Sequence, residues 1–408
     1  MTIKVADKRS KLLFYFAYIC YFISSVLSYT QLAKVIPSSV QKYTELLLTL
    51  FALSCLAARV IFFERYSPWE LFLTVAVAGL LFITMTVSAS RLLFLTALFV
   101  LCSKNIDFDD FMKLALKVTS CTVLLLALLS LSGVIGMGVK QRDDGTYRYS
   151  FGFNHPNHLG MMVFQIEAIY FYLKRHTVTL KKYIIPVAAC ILCYLISDSS
   201  TPTITGIMLI AASFIYERFQ KYLRFMDRHV RFFVIAVLIV LAVAMGIMVW
   251  YYWNNPYKLP TSMKTLRTRI LLAKKYLKAY GVKLFGSNIA IGSNVALPGY
   301  GAGYSYLDDG YVRVLVEHGL AVFALICSAI VIYIAKLVKN RRVQLIIITI
   351  AFLFFYISEQ KVAFITFNAF VVNLGTVLFG MNDECRTVLE EYEPVRSFGK
   401  KSKKVWTF

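Results

Sequence analysis

Apolar residues run along this chain in long blocks, separated by short segments where lysine and arginine concentrate. A block of about 18 or more apolar residues crosses a bilayer as a helix. Lipid offers backbone groups no hydrogen-bond partner, so only helices or a closed barrel can span it. These blocks are too long for barrel strands and lack their strict alternation. The pattern predicts spanning helices over 13–33, 44–63, 70–88, 91–104, 114–137, 158–173, 183–198, 201–216, 232–253, 310–335, 343–358 and 362–380, the fourth and eighth being short. The expected fold is all-α, a polytopic membrane protein of about 12 transmembrane helices. It forms a single integral membrane domain over 1–408, with no internal repeat and no soluble domain.

Composition agrees with the pattern. Of 408 residues 59% are hydrophobic and 16% charged, where a soluble domain carries about a quarter charged. The first residues, with Lys4, Lys8, Arg9 and Lys11 ahead of an apolar run, resemble a signal peptide. No small-residue cleavage site follows, so they are read as the entry to the first span. Orientation follows from the lysine and arginine of the short loops. With both termini cytoplasmic, 28 of the 44 basic residues fall inside and 16 outside. The expected location is the plasma membrane, as a multi-pass protein. Most of the eight cysteines, Cys20, Cys55, Cys121, Cys190, Cys193 and Cys327 among them, sit in apolar blocks, so no structural disulfide is expected. Cys190 and Cys193 form a CxxC in mid-helix and read as small buried hydrophobes.

One outer segment departs from the charge rule. Residues 254–309 make a large extracellular loop between the ninth and tenth helices. It holds Lys258, Lys264, Arg267, Arg269, Lys274, Lys275, Lys278 and Lys283, and no acidic residue before Asp308. Such a loop suits a basic helix lying on anionic headgroups, a binding site for a polyanion such as a lipid pyrophosphate, or both. From Lys264 to Tyr280, Leu266, Ile270, Ala273 and Leu277 recur at helical spacing with Arg267, Lys274 and Lys278 opposite, which predicts an interfacial helix stopped at Gly281. The Gly- and Asn-rich stretch 286–303 reads as a flexible loop or lid.

Three constellations could carry chemistry. The first is Arg148 through Gly160, with His155-Pro156-Asn157-His158 at its centre. Pro156 suits the first turn of a helix that Asn154 or His155 would cap, and helix N–H groups there form an anion site. His155 and His158 share a face, with His318 a conceivable third metal ligand. Substrate binding, proton transfer and interfacial packing are the other readings. The second is Arg267-Thr-Arg269 with the later Gly286, since the planar guanidinium fork suits pyrophosphate. The third is Asp308-Asp309-Gly310-Tyr311 running into Arg313, Glu317 and His318. Its carboxylates can cap the helix or act as a general base, and Arg313 and Glu317 can pair at i,i+4. Arg91, Asp198 and Glu359 are smaller candidates. Asp107-Phe108-Asp109 reads as DxD but falls in an inner linker, where a solvated turn is the better reading. No P-loop or dinucleotide fingerprint appears, so ATP and NAD chemistry are not supported.

In order and spacing, these segments resemble the Wzy-type polysaccharide polymerases of the O-antigen ligase and polymerase superfamily. The Gly-Phe-Asn-His155-Pro156-Asn157-His158-Leu-Gly segment resembles that family's Gly-x-x-His-Pro-Asn-x-x-Gly. The Arg267/Arg269 pair with Gly286 resembles its large-loop arginine segment, and Asp308-Asp309-Gly-Tyr311 through His318-Gly319 its entry into the following helix. The matched motifs cover about a fifth of the chain. Related ligases carry a histidine near Asp308 or Asp309, and a frequent Ser-Arg reads Ser199-Ser200 here.

The resemblance implies transfer of a growing glycan from undecaprenyl pyrophosphate to the next lipid-linked repeat unit, on the outer face of the membrane. The leaving group is already acidic, so it needs charge stabilisation, which Arg267, Arg269, Arg148 and Arg91 would supply. The base would be Asp309, Asp308 or His155. Asn157, His158, Tyr311 and His318 would contact substrate. No cofactor or metal is required. The expected partners are lipid-linked glycans, membrane lipids, and a flippase and chain-length regulator of the same pathway, with no nucleic acid. The alternatives are a ligase that moves finished glycan to another acceptor and a lipid-linked oligosaccharide flippase.

Overall fold

Side-chain caps start several of the helices in this computed structural model, which describes residues 8–141, 145–177, 179–219, 254–255, 258 and 264–380. The expected ninth span, 232–253, lies outside the described residues. Helix α1 (Lys8–Leu27) pairs with α2 (Ser38–Ala58), which runs on through a π-turn at Arg59–Phe63. Helix α3 (Pro68–Ser88) begins at a capping box: the Ser67 side chain accepts from the Glu70 N–H, and Glu70 accepts from the Ser67 N–H. It ends at Ala89, in the left-handed region. There follow α4 (Leu92–Leu101), α5 (Phe108–Leu131), α6 (Pro156–Leu173), α7 (Ile184–Ser197) and α8 (Ser200–Phe219). Beyond the loop come a helical turn at Gly310–Arg313, a π-turn at Val314–His318, α10 (Gly319–Lys339) and α11 (Val343–Tyr356); α9 (Lys264–Tyr280) lies within the loop.

Among the described residues, six helical stretches are long and apolar enough to cross a membrane: Lys8–Leu27, Ser38–Phe63, Pro68–Ser88, Phe108–Leu131, Leu180–Ser197 and Gly310–Lys339. The expected fourth span is reduced to α4, whose 10 residues measure about 15 Å, half the hydrocarbon thickness of about 30 Å. The expected twelfth is not a continuous helix. It is a 3-10 turn at Gln360–Ala363, irregular chain, a second 3-10 segment at Ala369–Gly375 and a final turn at Thr376–Phe379. Both segments still join the two ends of the bundle. Lys104, just past α4, reaches Glu70 at the start of α3 at 2.7 Å. Lys336 donates to the carbonyls of Thr376 and Val377 at 2.7 and 2.9 Å.

Broken backbone at this depth must find partners within the protein. Gln165 of α6, fully buried, supplies two: its amide donates to the Thr366 carbonyl and its carbonyl accepts from the Ala369 N–H. Thr96 of α4 accepts from the Ile365 N–H. Helix α6 is central, burying Met161, Met162, Phe164, Gln165, Glu167, Ala168 and Ile169.

Basic side chains in the linkers cluster at one end of this bundle. Buried Arg59 pairs with Glu64 and donates to the carbonyls of Cys102 and Lys104. Arg175 pairs with Asp109, and Lys182 with Glu217. The DxD is accounted for here: Asp107 caps α5, and Asp109 holds Arg175 and the Tyr172 hydroxyl.

The stretch 286–303 departs from expectation. Instead of a flexible lid it carries an antiparallel hairpin, β3 (Gly292–Ala296) and β4 (Ala302–Ser305); a smaller one joins β1 (Lys140–Gln141) to β2 (Tyr147–Arg148). Buried Tyr276 of α9 donates to the Ala290 and Ser305 carbonyls, and Ala273, Tyr276, Ile289, Leu297, Leu307 and Val316 form a small core. Ala273, Tyr276 and Leu277 of α9 therefore pack against their own loop.

Two close approaches tie the loop down. Gly286 has φ +83°, and a Cβ there would lie 2.0 Å from the Glu317 carbonyl oxygen. Ser287 donates to that same oxygen at 3.1 Å. Gly286→Ala is expected to lower stability by at least about 1–3 kcal/mol, read as a lower midpoint of fluorescence-detected thermal unfolding in detergent. An unchanged midpoint would contradict this packing.

Candidate functional site

At the end of the bundle opposite the basic linkers, four segments converge on Glu359. It lies just past α11 and is 6% exposed. The Asn157 amide, in the first turn of α6, donates to Glu359 Oε1. Arg269 of α9 reaches the same oxygen at 3.3 Å, and its other Nη lies 3.5 Å from the Thr201 hydroxyl of α8. Asn157 Oδ1 accepts from Arg148 Nη2 at 2.9 Å, and Arg148 also donates to the Ser199 hydroxyl and the Ser197 carbonyl at 3.0 and 2.9 Å. One chain of polar contacts thus joins β2, α6, α8, α9 and the segment after α11.

Local sequence explains how each part is held. His155 is the N-cap of α6: its Nδ1 accepts from the Asn157 N–H at 3.1 Å, with Pro156 at the first helical position. The preceding turn needs Gly152, φ +84°, where a Cβ would come within 2.9 Å of the Leu126 carbonyl oxygen. That turn is anchored on the end of α1, through Asn154 N–H to the Tyr29 carbonyl and Gln31 N–H to the Gly152 carbonyl. Beyond Glu359, Lys361 places its Nζ 2.5 Å from His158 Nε2 and 4.9 Å from the centre of the Tyr29 ring.

Burial sets the protonation of this cluster. It raises the Glu359 carboxyl to about 7, against the pull of Arg269, with Asp308 pushing the same way. It lowers the Lys361 ammonium to about 8, with Glu359 and Asp308 opposing. Asp309 is raised to about 6, again by burial, while the Val312 and Tyr311 N–H groups and Arg269 hold it down. His155 is pulled down to about 3 by burial and by Lys140, Arg148 and Lys361. A buried carboxyl poised near neutrality and flanked by cations is a common feature of proton-transfer sites.

The expected site residues divide. Arg148, Asn157, His158 and Arg269 come together, while Asp308 acts on Glu359 and Lys361 through its charge. Asp309 caps the turn at Gly310–Arg313, its side chain accepting from the Val312 N–H at 2.9 Å. His155 is a helix cap whose Nδ1 is already an acceptor. Arg267 is half-buried on α9, but Arg269 makes the direct contact with Glu359. Tyr311 donates to the Leu353 carbonyl and packs edge-on against Tyr356. Arg313 and Glu317 pair with each other at 2.5 Å. His318 is buried at the end of the π-turn, where the chain after Gly286 crosses. Arg91 is exposed and lies apart from Glu359, along a cavity bordered by Tyr29. Among the described residues no group of three His, Cys, Asp or Glu side chains forms a metal site.

Glu359 stood among the minor candidates, and Lys361 was not singled out. Their signal was available: they are the sole charged residues in 343–380, and ionisable groups in such surroundings mark function by default. No protein-family model, curated protein or solved structure matches this chain.

Proposed function

We propose that this protein is a glycosyltransferase of the Wzy type, which polymerises undecaprenyl-pyrophosphate-linked oligosaccharide repeat units on the outer face of the plasma membrane. The observation that carries the reading is Glu359, a buried carboxyl near neutrality held between Asn157, Arg269 and Lys361. Glu359 takes the proton of the acceptor hydroxyl, whose oxygen forms a bond to the anomeric carbon of the donor glycan. The bond from that carbon to the pyrophosphate oxygen breaks, and its electron pair leaves with the lipid pyrophosphate. Arg269 and Arg148 bear the developing charge, with Lys361 adding a third cation. Glu359 replaces His155 as base because the His155 nitrogen facing Asn157 is already committed to capping α6. The twelve-crossing topology belongs to this same reading, with the site end outward.

The test is the purified chain in proteoliposomes with lipid-linked repeat units. A ladder of products is expected. A single transfer to a second acceptor would give the ligase reading, and movement of lipid without new bonds a flippase.

Orientation has its own test. A cysteine at Gly292, on β3, is expected to react with a membrane-impermeant maleimide added to whole cells. Protection there, with reaction only after lysis, would overturn the topology and the outward site together.

A further inference from the structure

Beside the Glu359 cluster lies a cavity of about 240 Å3, walled by α1, α2 and the start of α4. At about 30 Å3 of liquid volume per water, it has room for one pyranose ring. Six of its ten lining residues carry hydroxyls, Tyr21, Ser24, Ser25, Ser28, Tyr29 and Thr49, on a wall whose exposed atoms are mostly apolar and include Leu92 and Leu95. Two opposite charges join them, Glu45 and Arg91.

These charges do not satisfy each other. Among the described residues no ion pair joins Glu45 to Arg91, and the Arg91 guanidinium makes no hydrogen bond. Glu45 accepts from Ser28 and Gln41 at 2.8 and 2.7 Å, both at Oε1, which leaves Oε2 free to accept. The remaining wall is fixed: Ser24 donates to the Glu45 carbonyl and lies 2.9 Å from the Thr49 hydroxyl, and Ser25 accepts from Thr366.

A ligand completing this cavity must accept from a guanidinium and donate to a carboxylate. An anion would suit Arg91 and be repelled by Glu45; an amine would meet the reverse. A neutral polyol does both with its own hydroxyls and presents C–H faces to the tyrosine rings. We propose that this cavity is a neutral-saccharide subsite that holds the acceptor sugar. This assigns Arg91 to the sugar instead of the pyrophosphate. The acceptor role rests on the transfer reading and on Tyr29, which borders the cavity while packing against His158 at 5.0 Å and lying under Lys361. The subsite thus adjoins His158 and Lys361, the neighbours of the proposed base.

Binding can be read without turnover. The full chain in nanodiscs is probed by saturation-transfer NMR with free glucose, galactose and N-acetylglucosamine, and separately with inorganic pyrophosphate. At least one sugar is expected to bind the wild type. Arg91→Gln and the isosteric Glu45→Gln should each weaken it at least tenfold, with pyrophosphate affinity changed less than twofold. In the lipid-linked assay both variants should raise the apparent KM for acceptor at least tenfold. The proposal is overturned if none of the three sugars binds the wild type, if sugar binding survives in both variants, or if Arg91→Gln abolishes pyrophosphate binding. A wild type that binds sugar and makes no product would leave the subsite standing and sink the transfer reading alone.

Discussion

Glu359→Gln is expected to lower kcat for glycan polymerisation by about 10²–10⁴-fold, the range that general base catalysis contributes. The substitution keeps the side chain's size and its acceptor for Asn157 while removing the proton-accepting oxygen. The pH profile separates this role from a structural one. In the wild type the base must be deprotonated, so kcat/KM should rise with pH through the Glu359 value of about 7. It should fall again as Lys361, near 8, loses the charge that faces the site. The two groups influence each other, so the limbs report apparent values of the pair. In Glu359→Gln the acidic limb should vanish from the residual activity. An unchanged acidic limb would move the base elsewhere, with Asp309, raised to about 6, the next candidate.

Arg269→Ala is expected to cost about 10²–10³-fold in kcat, the loss seen when one preorganised donor to a developing charge is removed, about 2.7–4 kcal/mol. Arg269→Lys should recover only part of it, because a lysine cannot reach Glu359 and Thr201 together through a planar fork. Arg267→Ala should cost less, since Arg267 does not make the contact with Glu359. Polymer of full length and normal rate from Arg269→Ala would remove this arginine from the mechanism. The assay must include the bound lipid donor, because Arg269 also neutralises a buried carboxylate. Loss of Arg269 should also move the acidic limb to higher pH, because its charge holds Glu359 down; a fall in donor affinity measured above that limb separates the two effects.

Much of the site was legible as residue types in the right order. His155-Pro156-Asn157 announces a capped helix start, and that signal is local: a fixed proline φ and a side-chain acceptor two residues away. Asp309 as a cap and Arg313 with Glu317 as an i,i+4 pair were legible for the same reason. Glu359 as the meeting point was not. Its partners Asn157 and Arg269 lie 202 and 90 positions away in sequence, and no local rule connects them. The hairpin at 292–305 was hidden in a different way. Its glycines and asparagines read as loop, and it is fixed by Tyr276 and a small apolar core supplied from outside the strands.

What the amino-acid order determined by itself is the solvent in which each segment is stable. Apolar length dictates helices that satisfy their own backbone, and Lys and Arg spacing dictates which linkers share an end, because both depend on transfer free energies that act residue by residue. Only the tertiary structure decided which helices are whole. The chain at 364–368 runs irregular at bundle depth because Gln165 and Thr96 supply the hydrogen bonds a helix would have made. It decided the site for the same reason: a carboxylate can be buried at Glu359 only where packing brings an amide, a guanidinium and an ammonium from distant segments to meet it.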